Sequence, residues 1–297
     1  MLNALYKTQM GAKFKLTVLN ADGSPKSDTN GPYCNMILDS AVTIMPTGFS
    51  TLPIPVLGSS AIAEAANQTG VLTPQANMVC YENKELWAAK YSKISDTEAN
   101  VSWGHRYSYR NTSTAAIEIA EVGIPNFNRA VFRDGVNSYI WTVSPNEILL
   151  VEMDFNIRIK APINPIAIAV LDQDGKTTKN VTVNMRVCDA VSAGTPQWYK
   201  ALSKPSNKVY YTTDNNFNGT VKPVTAQQFE VSLSSNYDYK ARTIEMSFKH
   251  RGKTGGESIK GILFNFGCIT PVLTAVFSEP LYVGGGYTFE AKSTLTW

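Results

Sequence analysis

The side chains best suited to chemistry are few and far apart. The histidines are His105 and His250, and neither stands at metal-ligand spacing from another His, Cys or carboxylate. His105 lies in the aromatic run Trp103-Gly104-His105-Arg106-Tyr107, which reads as a structural or interface position rather than a general base. No Ser-His or Cys-His nucleophile signature surrounds either one. Gly252-Lys253-Thr254 has the ending of a phosphate-binding loop, but the first glycine of that motif would fall on Ser247, and strands flank the segment. Glu152 and Asp154 share one strand face, an arrangement of acids that glycoside cleavage could use. Arg158 and Lys160 lie on the same face and make it an ordinary solvated one. Asp172 and Asp174 lack the further ligands and closing Glu of a calcium loop, and with Gly175 they read as a hairpin turn. The expectation is no catalytic residue, no cofactor and no metal.

The elements around these residues are strands. Lys13 to Leu19 alternates polar and apolar and stops at Asp22-Gly23-Ser24-Pro25. Ala116 to Ile124 does the same. Leu150 to Lys160 is the cleanest case, with Met153, Phe155, Ile157 and Ile159 on one face and Glu152, Asp154, Asn156, Arg158 and Lys160 on the other. Ile166 to Leu171 and Val181 to Val187 flank the Asp-Gly turn as a hairpin. Further strands are expected at 228–233, 242–249, 259–266, 272–277 and 287–297. Ile62 to Asn67 and Glu82 to Tyr91 are expected as short helices, the second with Leu86, Trp87 and Tyr91 inward. Ala130-Val131-Phe132 and Ala275-Val276-Phe277, each followed by a long alternating strand, read as two hairpins of one sandwich. The pattern predicts an all-β fold. It is a jelly-roll-like β-sandwich forming a single domain over 1–297, with few short helices and one long irregular loop at 189–223.

Composition narrows the classes. The chain has 297 residues, 43% hydrophobic and 17% charged, enough for a full core and unlike a disordered tail. The net charge of +3 is small and scattered, which argues against nucleic-acid binding; Lys249-His250-Arg251-Gly252-Lys253, beside Gly255-Gly256, reads as a solvated hairpin tip. Cys34, Cys80, Cys188 and Cys268 are widely spaced among apolar neighbours, so four buried, reduced, non-catalytic thiols are expected. The first twenty residues lack the pattern of a secretory signal, and no segment reaches the roughly 18 apolar residues of a membrane span. The sequons at Asn67, Asn100, Asn111, Asn180 and Asn218 are then features of an Asn- and Thr-rich β surface rather than glycan sites.

Two aromatic groups stand out. One is Trp87, Tyr91, Trp103, Tyr107 and Tyr109. The other, in the 189–223 loop, is Trp198, Tyr199, Tyr210, Tyr211 and Phe217. Irregular loops of that length usually have a task, and exposed rings favour association, so the second group is the candidate subunit interface.

Three blocks of sequence together resemble a family of bacteriophage tail and virion structural proteins. The first is Asn35-Met36-Ile37-Leu38-Asp39-Ser40-Ala41, followed by a Gly/Ser/Ala/Thr-rich stretch, here Val56 to Ser60 through Thr69 to Leu72. The second is Ile119-Ala120-Glu121-Val122-Gly123-Ile124 with Asn128-Arg129-Ala130-Val131-Phe132-Arg133-Asp134. The third runs from Trp141 to Phe155. The resemblance covers Leu16 to Ile159 best. Ala41 and Asn146 stand where the family commonly has glycine, and 189–223 has no counterpart. The resemblance implies a β-rich virion component of the tail, collar or fibre attachment; the lack of a catalytic signature makes a non-enzymatic part the expectation, and the reduced thiols fit assembly in the host cytoplasm. It would act as a homo-oligomer, a trimer or larger ring, docked on other tail or neck proteins. An alternative is a receptor-binding module for host glycan or surface protein; a third is a tail-associated glycan hydrolase.

Overall fold

Alternation from Leu150 to Lys160 does what period two requires: Met153, Phe155, Ile157 and Ile159 are all buried, while Asn156, Arg158 and Lys160 are exposed. A computed structural model places this strand near the middle of a large sheet and describes residues 2–27, 30–39, 41, 54–134, 137–171, 178–188, 207–219, 227–228, 234–238, 243–266 and 273–296. The named elements among them are all strands.

In the first part of the chain these are β1 (Leu2–Leu19), β2 (Asn30–Cys34), β3 (Met36–Ile37), β4 (Val56–Gly58), β5 (Met78–Ser95) and β6 (Glu98–Asn111). Short pieces follow: β7 (Ile117–Ile119), β8 (Glu121–Gly123), β9 (Asn128–Val131), β10 (Arg133–Asp134), β11 (Asn137–Ser138) and β12 (Trp141–Val143). Then come β13 (Ile148–Lys160), β14 (Ile166–Leu171), β15 (Thr178–Val187), β16 (Asn207–Thr212), β17 (Gln227–Gln228) and β18 (Ser234–Asp238). The last are β19 (Thr243–Arg251), β20 (Glu257–Phe266), β21 (Leu273–Val283) and β22 (Thr288–Thr296).

The large sheet has the order β18-β19-β22-β1-β13-β6-β5, with β2 added on β1. It is antiparallel except where β1 runs parallel to β22, Leu2 opposite Ala291. A second sheet has the order β14-β15-β21-β20-β16-β17, and a smaller one β3-β9-β8-β4. One apolar core draws on all three: Phe14, Val151, Met153 and Phe155 from the large sheet, Val183, Phe264 and Phe277 from the second, Val122 and Ala130 from the third. Trp103 stacks on Phe155 at 5.0 Å between ring centres, and Phe127 meets the same ring at 6.0 Å.

The all-β expectation holds, and several local expectations are corrected. Glu82 to Tyr91 is not a helix but part of β5. Its pairing with β6 slips between Cys80 and Glu82, Glu85 and Trp87, Trp87 and Lys90, and Lys93 and Ser95. Each slip resets the alternation, which hides a strand from a period-two reading. Ile62 to Asn67 is not helical either, because the Ile62 and Ala63 carbonyls accept from the Arg129 guanidinium instead of from a following turn. The loop 189–223 is interrupted by β16, which pairs with β20 from Asn207↔Phe266 to Thr212↔Gly261. The hairpin of β14 and β15 is present; its turn, 172–177, lies outside the described residues. The two Ala-Val-Phe segments do not lead into hairpins. β9 and β13 lie in different sheets, and β21 and β22 do too.

Phe155→Ala removes a ring in contact with two others, and should destabilise the protein by about 3–5 kcal/mol. Chemical denaturation monitored by tryptophan fluorescence checks this, and an unchanged midpoint would remove β13 from the core.

Candidate functional site

Charged and polar side chains gather at two buried nodes, and both are structural in their contacts. At the first, Glu121 opens β8 and Arg129 lies in β9, and both side chains are fully buried. Arg129 Nε–H donates to Glu121 Oε2 at 2.5 Å. Its remaining nitrogens donate to Ala63 O at 3.2 Å, Gln68 Oε1 at 2.8 Å and Ile62 O at 2.8 Å. Glu121 Oε1 accepts the backbone N–H of Ser60 at 3.2 Å, Leu72 at 3.1 Å and Thr73 at 3.0 Å. A buried charge pair persists only when its other lone pairs and protons are satisfied, and here the segment 59–73 satisfies them.

Glycines make room for this node. A β-carbon at Gly58 would lie 2.3 Å from Val71 Cγ1 and 2.5 Å from Glu121 Oε1. One at Gly123 would lie 2.4 Å from Asn128 O, within the tight β8–β9 turn. That turn has Asn126 at φ +58° and is closed by Ile124 N–H donating to Asn128 Oδ1 at 2.8 Å. The segment Asn35 to Asp39 joins the same node. β3 pairs with β9, Leu38 N–H donates to Phe127 O at 2.9 Å, and Asp39 N–H to Ala66 O at 2.7 Å. The Asn-Met-Ile-Leu-Asp segment, the small-residue stretch and the Glu-Val-Gly…Arg-Ala block therefore meet around one ion pair. Sequence reading quoted Glu121 and Arg129 without seeing that they pair, because seven intervening residues hide a two-strand contact.

The second node joins the two larger sheets. β19 belongs to one and β20 to the other, so Gly252 to Gly256 is a crossover and not the hairpin tip expected from the basic run. His250 ends up buried, its Nε2 2.5 Å from Glu257 Oε1. Tyr211 donates its hydroxyl to Glu257 Oε2 at 2.7 Å, and its ring lies 4.9 Å from the imidazole. Lys253 reaches the same carboxylate at 3.9 Å. Gly284 to Gly286 is the neighbouring crossover between the same sheets, tied to the first by Gly252 N–H donating to Tyr287 O at 3.0 Å. Burial pushes the Glu257 carboxyl up, but the hydrogen bonds from Tyr211 and His250 and the charges of His250 and Lys253 outweigh it, so the net displacement is downward.

The expected interface aromatics separate. Tyr211 is 1% exposed in the main core and Phe217 is 5% exposed against Cys188, Leu263 and Val276, so both fold onto their own chain. Tyr210 is half-buried beside them. Trp198 and Tyr199 lie outside the described residues. Cys188 is buried, its thiol donating to Gly219 O at 3.2 Å. Cys34 is exposed, a correction with a simple cause: it stands opposite exposed Lys13 on the solvent face of the sheet. Cys80 is half-buried, which pushes its thiol up, and Cys268 lies outside the described residues.

The other candidates stay apart. Asp154 faces outward beside Lys13, with burial raising its carboxyl against the charges of Lys13 and Lys15. Glu152 occupies the same face. His105 contacts Asn83 Oδ1 at 3.2 Å, and burial holds its imidazole below the usual range against the opposing charge of Glu85. Among the described residues no group of three or more His, Cys, Asp or Glu is arranged to hold a metal, and no helix is long and apolar enough to cross a membrane. Comparison with protein-family models, with curated proteins and with solved structures finds no match.

Arg129→Met leaves Glu121 buried without its cation and should cost about 3–5 kcal/mol, whereas the double replacement with Glu121→Gln should recover part of that loss. Additive losses in thermal unfolding would show that the two side chains act independently. The depressed Glu257 carboxyl adds stability that is present above its unfolded value near 4.5 and disappears as pH falls through the folded value. The melting temperature of Glu257→Gln should therefore lie below that of the wild type at neutral pH and approach it in acid. A constant gap across that range would contradict the assignment.

Proposed function

We propose that this chain is a non-enzymatic structural component of a bacteriophage virion, in the tail, collar or fibre attachment, acting through oligomeric assembly. The observation that supports the reading most is the convergence at Glu121 and Arg129. The blocks that resemble virion proteins lie far apart in sequence, yet three of the segments carrying the resemblance build one buried node. A shared sequence pattern is then a shared way of holding strands, as expected of a part whose task is shape.

The carboxylates of the two buried nodes are committed in the same way. Glu121 is engaged by Arg129, and Glu257 by His250 and Tyr211. Each arrangement fixes one segment against another, and none of these contacts needs a substrate. Assembly would follow from a rigid β body that presents edges and loops to neighbours, with the chain itself and other tail or neck proteins as partners.

Particles purified from a lysate of the phage encoding this chain should contain it in several copies, detected by mass spectrometry of the intact virion. Antibody against the chain should decorate the tail or the neck in electron micrographs. Its absence from particles, with the protein left in the soluble fraction, would reject the virion reading. Particles that assemble without it but fail to attach to cells would favour the receptor-binding alternative.

A further inference from the structure

The ends of the two larger sheets are not equally protected. β5 carries Glu82, Lys84, Glu85, Lys90 and Lys93 and four register slips, devices that discourage pairing. β18 is a short polar strand, Ser234-Ser235-Asn236-Tyr237-Asp238, and β17 has only two residues. β14 differs: Ile166-Ala167-Ile168-Ala169-Val170-Leu171 has no charge, no proline and no slip against β15. It ends its sheet, and among the described residues no strand pairs with its outer side.

Its core face is also unfinished. Ile166 and Val170 pack on the core but remain partly exposed, with only Ile168 between them buried. The direction of the free backbone groups follows from β15. Thr182 N–H points to β21, where it donates to Ser278 Oγ at 3.1 Å. Its neighbours Val181 and Val183 therefore turn toward β14, opposite Ile168 and Ile166. Ala167 and Ala169 are left with N–H and C=O directed away from the sheet, and both side chains are exposed.

We propose that β14 pairs antiparallel with β14 of a second copy of this chain, about a two-fold axis at Ile168. That register sets Ala167 opposite Ala169 of the other copy as a pair exchanging both hydrogen bonds, twice by symmetry. Ile166 then faces Val170, so apolar side chains meet on the core side and methyl groups on the other. No charge opposes another across the axis, and the strand is complementary to itself without adjustment. The inference stands on the edge geometry and does not depend on the virion reading.

The test uses the full chain. Light scattering on a sizing column should give twice the 32.5 kDa of one copy. Residue-resolved hydrogen exchange should show the Ala167 and Ala169 amides as protected as those of Ile166 and Ile168. Ala169→Pro deletes one outward N–H without touching the β15 ladder and should return the protein to one copy with its circular dichroism unchanged. Ala169→Lys should do the same where the proline variant fails to fold. A monomeric wild type, rapid exchange at Ala167 and Ala169, or an oligomer whose mass ignores both variants would each overturn the proposal.

Discussion

The Glu121–Arg129 pair is the constraint on which the first half of the chain depends. A carboxylate and a guanidinium without solvent exposure are stable only if the surrounding backbone completes their hydrogen bonds. Segment 59–73 does so by giving up regular structure: its amides turn to the carboxylate and its carbonyls to the guanidinium. Packing consequences follow. Gly58 is required where the carboxylate passes, Gly123 where β8 meets β9, and β3 is drawn onto β9. Hydrophobic contacts alone would tolerate sliding of such short strands; a buried ion pair with directed partners permits one register.

Sequence patterning reveals the long regular strands and obscures what holds them. Leu150 to Lys160 is legible because β13 lies between two partners in unbroken register, so one face is core throughout. β5 is illegible because its bulges shift the phase every few residues, leaving a composition that imitates a helix. Ile62 to Asn67 misleads for a different reason, since its apolar and Ala-rich pattern suits a helix but its carbonyls have a stronger partner in Arg129. The aromatics of 189–223 show the same limit. Ring type signals burial, while the surface that buries Tyr211 and Phe217 comes from β20 and β21, far along the chain.

Connections between the sheets explain why the pairing of His250 with Glu257 escaped notice. A basic run beside paired glycines reads as a solvated turn when the flanking strands belong to one sheet. They belong to two, so the chain must pass through the core boundary, and the imidazole goes inside with it. Glu257 on the far side of the crossover and Tyr211 on β16 then supply the polar partners that burial demands. The adjoining crossover at 284–286 brings a second glycine-rich segment against the first, where side chains would hold the two passages apart.

Stability within one copy and the proposed association between copies thus rest on different parts of the fold. The interior is closed by directed polar contacts at Glu121 and Glu257, which specify register and crossing but expose nothing adhesive. At the periphery, β5 is guarded by charge and bulges, and the strand opposite it in the same sheet is short and polar. Among the described strands that end the two larger sheets, β14 alone combines β-branched residues, a straight ladder and an incompletely covered core face. An unguarded edge in an isolated domain invites indiscriminate pairing, and charge on alternate residues is enough to prevent it. Keeping alanine at 167 and 169, where lysine would fit sterically on an exposed face, makes sense when a matching strand occupies that edge. The symmetry of Ile166 and Val170 about Ile168 makes the same strand its own match.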